Sequence, residues 1–471
     1  MVSTPQVRSG SVTSFSLDAE IAAFRSRVAG RVIIPGDAEY DTARLTVNVM
    51  SNRFPLMILK AAEESDVVEA VRFARTHGVQ LSIRSGGHSV PRLNVIDDAL
   101  VVDYSEMKAV RIDPVGRVAR VQPGATSWDL AIPAAEHDLA LSTGDTQSVG
   151  MGGLTTGGGI GFMVRKYGLA IDNLISARVV TADARVLTAS AVENPDLFWA
   201  IRGGGSNFGI ITEFTYRLAH VPQILGGDLM LPATREVLRG YLEITTQAPD
   251  DLTTIANMMK APPFPYVPED KVGTPVFSIL TVWTGDPEEG ERVIGQLRAL
   301  AEPVADTIAP VPYPEIYKYT VHQTARHGAA IRMMFADDMS DASLDASIEA
   351  IENSSSPFSL IQFRGMGGYA SRIDKHATAF PHRTQNVFYA IIGLWLDPAE
   401  DPAPHFAWSE ALWEKVRGDG SGVYVNFLDH EGQDRIREAY GDVNYERLVR
   451  IKAHYDPDNM FRFNQNILPA K

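Results

Sequence analysis

Arg84-Ser85-Gly86-Gly87-His88-Ser89 and Gly150-Met151-Gly152-Gly153-Leu154-Thr155-Thr156-Gly157-Gly158-Gly159-Ile160-Gly161 decide what kind of chain this is. Glycines at this density remove side chains, so backbone amides can approach an anionic group closely. A histidine set between two glycines and a serine is presented by its loop rather than packed in a core. Thr155 and Thr156 add hydroxyls able to donate to a phosphate. The two stretches therefore read as a cradle for a phosphorylated ligand with one imidazole offered to it.

Around these loops the first half alternates short strands and helices. Ser65 or Asp66 caps a helix carrying Val67, Val71 and Ala74 at helical spacing, and Gly78 ends it before a strand at 79–83. Residues 99–103 form a compact apolar strand. Asp113-Pro114-Val115-Gly116 joins two short strands as a hairpin, and Ala182-Asp183-Ala184 joins two more. Asn194-Pro195 opens a helix. A third glycine loop, Gly203-Gly204-Gly205 to Gly209, leads into a strand at Ile210-Ile211-Thr212. From 223 to 423 longer helices (234–248, 287–301, 341–352, 404–416) alternate with β-rich runs such as 277–283 and 387–395. That pattern predicts a sheet with helices on one face. A last helix at 444–455 puts Tyr445, Leu448, Ile451 and Tyr455 on one side and stops at Asp456-Pro457.

Composition narrows the function. The 471 residues carry a net charge of -15, with 45% hydrophobic and 21% charged residues, which suits a soluble globular chain and disfavours nucleic acid as a partner. No cysteine is present, which removes disulfides, thiolate metal sites and cysteine nucleophiles. No metal site is expected. Gly-x-Gly-x-x-Gly, the P-loop lysine pattern, His-Glu-x-x-His and Gly-x-Ser-x-Gly are all missing, so the usual dinucleotide, nucleotide, zinc and serine-hydrolase signatures do not apply. The polar N-terminus lacks the apolar stretch of a secretory signal and no window is apolar enough to span a membrane. The expected location is cytoplasmic.

Taken together the blocks resemble the vanillyl-alcohol-oxidase superfamily with its PCMH-type FAD-binding domain, and within it the bacterial, singly linked berberine-bridge-enzyme-like oxidases. The carriers are Arg84 to Ser89, then Gly144-Asp145-Thr146-Gln147-Ser148-Val149-Gly150-Met151-Gly152-Gly153 followed by Tyr167 to Asn173, then Ala379-Phe380-Pro381-His382-Arg383. The C-terminal run Asn444 to Lys452 and Tyr455 to Ile467 completes the set. The resemblance implies an α+β, two-domain fold. Its parts are a disordered or loosely packed arm at 1–20, an FAD-binding domain at 21–221, a substrate domain at 222–423 whose antiparallel sheet is covered by helices, and a C-terminal segment at 424–471 returning to the FAD domain.

The resemblance also implies FAD joined to His88 and held by Arg84, Ser85, Gly86, Gly87, Ser89, Thr146, Val149, Gly150, Gly152, Gly153, Thr156, Gly157, Gly161, Gly209, Ile211, Asn464 and Asn466. Relatives with a second flavin link carry cysteine where this chain has Thr146, so a single link is expected. Val149 stands where the family gates oxygen. The expected reaction is hydride transfer from an alcohol, sugar hemiacetal, amine or secondary metabolite to FAD, then to O2 giving hydrogen peroxide. A dehydrogenase using another acceptor, a non-catalytic flavin-binding relative, and C–C bond formation or rearrangement are the alternatives. Many relatives have a tyrosine base where this chain has Phe427, in a strand here reading Tyr424-Val425-Asn426-Phe427. The base is then expected from Tyr389, Tyr424 or Asn426. His322, Arg326 and His327 offer a possible anion site, and His382 and Arg383 read as a structural link between domains. No motif sets the substrate's identity or the oligomeric state.

Overall fold

Three sheets account for most of the computed structural model, which describes residues 14–470, side chains 14–16, 322 and 323 excepted. The first has four strands in the order Arg31–Ile33, Met57–Lys60, Leu100–Asp103, Leu81–Arg84. Its first pair is antiparallel and the other two pairs are parallel. The helix Glu64–His77 crosses over from Met57–Lys60 to Leu81–Arg84, the two strands that flank Leu100–Asp103 in parallel. Val67, Ala70, Val71 and Ala74 on that helix pack with Met57, Leu59, Leu100 and Val102. Gly78 ends it at φ +65°, a conformation glycine adopts without strain. Residues 14–20, assigned from sequence to a loose arm, open the helix Ser14–Arg27, while 1–13 lie outside the described residues.

The second sheet has five antiparallel strands and carries the two expected hairpins, Val110–Asp113 with Val118–Val121 and Leu174–Val180 with Val186–Ser190. The strand Ile210–Arg217, entered from the third glycine loop, lies between the hairpins.

The third sheet has nine strands drawn from 224–421. Its centre runs Ile224–Pro232, Pro275–Trp283, Leu252–Lys260, Leu360–Gly365, Val387–Trp395, Gly328–Ala336, antiparallel throughout. Alternation gives each strand two faces. Leu229, Met258, Phe277, Phe363, Tyr389 and Met334 pack under the helices Arg235–Gln247, Pro287–Arg298, Asp341–Glu352 and Ala403–Val416. Residues of opposite parity, including Ile331, Met333, Phe335, Leu360, Phe388 and Ala390, join the core of the glycine-loop half. The molecule is thus an α+β, two-domain fold matching the expected architecture, with one sheet sandwiched between its own helices and the first domain.

The final helix is longer than its periodicity suggested. It spans Gln433–Tyr455 with a break at Gly441, φ +65°, and only its second half shows the expected spacing. Beyond it, the tail is pinned inside the first domain. Lys452 Nζ, fully buried, pairs with Asp456 at 2.5 Å and donates to the carbonyls of Asn207 and Phe461 at 2.8 and 3.0 Å. Asn207 bonds Gln465 O and Ile467 N through its two side-chain ends.

Candidate active site

The strand Leu81–Arg84 delivers the chain into the histidine loop. Arg84 does not face a ligand. Its guanidinium pairs with Asp103 and donates to the carbonyls of Ala43 and Leu45 at 2.6 and 3.0 Å, which corrects its assignment as a cofactor contact. Ser85 Oγ donates to Pro123 O at 2.5 Å and Ser89 Oγ accepts from Leu93 N–H at 3.3 Å, so both hydroxyls tie loops together. Gly86 and Gly150 meet backbone to backbone, and a Cβ on either would collide with the other. Gly87 has φ +80°. These glycines bring the two loops into contact.

His88 stands at that junction. Its Nε2 lies 2.9 Å from Ser148 Oγ, and Nδ1 has no hydrogen bond among the described residues. Burial first, and then the neighbouring His327, push its pKa down to about 4. The imidazole is neutral at physiological pH. His327 arrives on the strand Gly328–Ala336 through a short bridge with Val47 and Val49. Arg326 donates to Thr46 O at 2.9 Å, and burial lowers the pKa of His327. Arg326 commits only its Nε to a neutral carbonyl, and burial holds the adjacent His327 toward the neutral form; the His322 side chain lies outside the described residues.

The second loop continues into the helix Met151–Gly157, which Gly150 begins. Thr146 is buried at the head of the loop and Val149 is half-buried. The threonines are not phosphate donors. Thr156 Oγ1 donates back to Gly152 O at 2.9 Å, the usual fate of a hydroxyl inside a helix. Thr155 Oγ1 is 2.6 Å from the buried Tyr216 hydroxyl. Gly152 fits against Pro123 and Ser85, Gly157 against the Asn426 amide, Gly161 against Thr143 O and Gly209 against Val179, so these four serve close packing. A Cβ on Gly153 would meet nothing within 4 Å, which leaves open space beside that turn. Ile211 is buried, and its carbonyl accepts the Tyr104 hydroxyl at 2.5 Å.

Near the third glycine loop, the Oδ1 atoms of Asn464 and Asn466 are buried with no hydrogen-bond partner. Asn464 Nδ2 donates to Phe461 O at 3.1 Å. Buried acceptors left unmatched are costly unless a ligand supplies donors. Dinucleotide hydroxyl and amino groups are donors of that kind. These orphaned oxygens and the room at Gly153 fit a bound FAD.

The expected base residues are dispersed. Tyr389 is fully buried on the helix side of its strand, with its hydroxyl 2.7 Å from Ser347 Oγ, so it does not face the flavin half. Phe388, one residue earlier, does. Residues 425–427 form a 3₁₀ turn instead of a strand, and Phe427 N–H bonds Tyr424 O. The expected alternation is therefore absent: the rings of Tyr424 and Phe427 stack, with centroids 5.7 Å apart. Tyr424 Oη accepts from Gly159 N–H at 2.9 Å and Asn426 Nδ2 at 3.0 Å, and burial raises its pKa. Asn426 also donates to Leu154 O at 3.2 Å. Both side chains brace the glycine helix.

The sequence reading missed a set of polar residues on the sheet face turned toward the first domain. Arg364 pairs with Asp145 at 2.7 Å and lies against the rings of Phe388 and Phe427. Gln362, Asn257, Ser278 and Asp228 share that face. The available signal was a pair of polar residues two apart, Gln362 and Arg364, inside an otherwise apolar strand. Arg383 binds Asp172 through both guanidinium nitrogens at 2.7 and 2.8 Å, and His382 stacks on Phe335. Arg383 thus links the two halves, and His382, its Nε2 3.0 Å from Ala439 O, ties the large-sheet half to the final helix. Among the described residues no group of three His, Asp or Glu could hold a metal, and no helix is long and apolar enough to cross a membrane.

Comparison with known proteins agrees with this geometry. Residues 55–190 match the family described as FAD binding domain, and 423–468 match the family described as berberine and berberine like. The (R)-6-hydroxynicotine oxidase of Paenarthrobacter nicotinovorans is 32% identical over 464 residues, covering 94% of this chain and 97% of that protein. An uncharacterised FAD-linked oxidoreductase of Bacillus subtilis, YgaK, is 27% identical over 95% of this chain and 98% of its own length. Among solved structures, 6-hydroxy-D-nicotine oxidase from Arthrobacter nicotinovorans superposes with a TM-score of 0.83 at 28% identity, covering 94% and 98% of the two chains. BBE-like 1 of Physcomitrella patens gives 0.85 at 22% identity over 96% and 99%, a likeness of fold.

Proposed function

The chain belongs to the berberine-bridge-like FAD-linked oxidoreductases, and we propose that it is an oxidase whose FAD is bonded once, through His88. The observation that carries this reading is the neutral imidazole at the junction of two glycine loops. Ser148 engages Nε2 and leaves Nδ1 as the nitrogen available to the flavin's 8α-methyl carbon. Thr146, an alcohol, supplies no thiolate for a second bond. The loops 85–89 and 148–153 would hold the cofactor next to His88, and Asn464 and Asn466 would accept from its hydroxyl and amino groups. FAD supplies a two-electron acceptor that takes hydride from a substrate carbon and passes the electrons to O2.

The chain's own residues orient and enclose. Arg364, neutralised by Asp145, carries the aromatic wall of Phe388 and Phe427. A general base contributes roughly 10²–10⁴-fold when a proton leaves with the hydride. Tyr389 points away, Phe427 has no proton to exchange, and Tyr424 is held protonated by burial. A neutral amine, which yields hydride with its own lone pair assisting, suits such a site better than an alcohol or sugar hemiacetal. Val149 is half-buried beside Ser148 and is the residue proposed to admit oxygen.

Flavin fluorescence on a denaturing gel tests the link: it stays with the wild-type chain and is absent from His88→Ala. Peroxide release across a panel of amines, alcohols and sugars tests the reaction. A colourless protein would remove the whole reading, and slow reoxidation in air would turn it toward a dehydrogenase.

A further inference from the structure

Three neighbouring strands of the large sheet each place one polar side chain in a row on the face turned toward the flavin half. Ser278, Asn257 and Gln362 sit directly opposite one another in register, and Arg364 follows two residues along its strand. All four are buried, Asn257 at 6% exposure being the most open. Arg364 can only donate. Its Nη2 goes to Asp145 at 2.7 Å, its Nη1 to Ile160 O at 2.8 Å and its Nε to Gln362 Oε1 at 2.8 Å. That fixes the orientation of the glutamine, because its oxygen must face the guanidinium. Gln362 Nε2 then donates to Asn257 Oδ1 at 3.0 Å. Asn257 is fixed in turn: its oxygen is taken, and its Nδ2 is the donor left at the end of the relay.

That Nδ2 has no hydrogen bond among the described residues and is not sealed from solvent. Ser278 does not take it up as a partner; its own proton goes to Asp228 at 2.7 Å. A relay of this kind polarises each amide and strengthens the last donor. The central strands contribute one cation to this face, Arg364, and Asp145 already neutralises it. Among the described residues Asp228 has no cationic partner. An anionic substrate would find no free positive charge on these strands.

We propose that Asn257 is the residue that recognises the substrate, donating to an acceptor atom of an uncharged or cationic molecule, and that carboxylates and phosphates are excluded. This rests on the oxidase reading above. Gln362 and Arg364 are positioning residues that hold the asparagine with its donor outward.

Acetophenone and benzoate test this directly, being similar in shape but neutral and anionic respectively. Each is titrated into the flavin-loaded protein and followed by the change in flavin absorbance. Acetophenone is expected to bind at least about tenfold more tightly than benzoate, and Asn257→Leu to weaken acetophenone by about tenfold, the worth of one neutral hydrogen bond. Asn257→Asp, which offers an acceptor and a charge, weakens it as well. Gln362→Leu releases the amide and gives an intermediate loss. Unchanged flavin content and melting temperature in each variant show that the fold has survived. Equal or tighter benzoate binding, an unchanged preference in Asn257→Leu, or no response to either probe in protein that holds flavin would overturn the assignment. Protein without flavin would overturn the oxidase reading on which it rests.

Discussion

Asp228 is the most perturbed carboxyl of the large sheet, with its pKa pushed up to about 6 by burial, despite hydrogen bonds from Ser278 and Tyr266. Its pKa in the fold lies above the ordinary 3.8, so folding favours the protonated form. That stabilisation is fully present below pH 3.8 and is lost as pH rises through 6, a change of roughly 3 kcal/mol. Urea melts of wild type and Asp228→Asn should therefore agree most closely near pH 4 and diverge by pH 8 in favour of the variant. The opposite sign would show that the carboxylate is matched by a charge. His88 calls for a different measurement: a substitution that removes the imidazole should abolish acid-stable flavin without unfolding the protein. Single residues divided sharply in how well sequence located them. His88 is announced by its glycines, whereas Arg84, in the same motif, is claimed by Asp103, which lies 19 positions away and carries no local mark.

Elements whose signals are local came through well. The hairpins around 114 and 183 and the helix at 341–352 follow from turn residues, caps and apolar spacing within a few positions. Facing is a different matter. Val387–Trp395 is apolar on both sides because both of its surfaces are buried, so nothing in its own residues says which parity meets the flavin half. Tyr389, expected toward the flavin half, lies on the helix side for that reason. Tyr389→Phe should leave turnover unchanged while costing about 1 kcal/mol in stability through the lost Ser347 contact. A steady-state assay paired with a thermal melt separates the two effects. Residues 424–427 failed differently: a 3₁₀ turn and a short strand share the same apolar and aromatic composition, and the choice is made by Gly159 and Leu154, which bond the side chains of Tyr424 and Asn426.

The chain closes on itself, the final helix and the described tail after it packing into the glycine-loop half. Lys452 is the pin, and removing it leaves Asp456 buried without its cation. Lys452→Ala should therefore lose about 3–5 kcal/mol. The same variant should release noncovalent flavin more readily, because Asn464 and Asn466 follow directly on the segment that Lys452 anchors; a melt with and without added FAD reads both. Such long-range closure escaped local reading, and only the resemblance of separated motifs hinted at it. Two further pairs reach into the glycine-loop half: Arg364, on the large sheet, with the half-buried Asp145, and Arg383, in the loop before Val387–Trp395, with Asp172, buried at both ends. Swinging the halves apart would strand two guanidiniums and two carboxylates at once. A hinge between the halves would therefore be costly, and the frame of this enzyme is expected to stay closed during turnover.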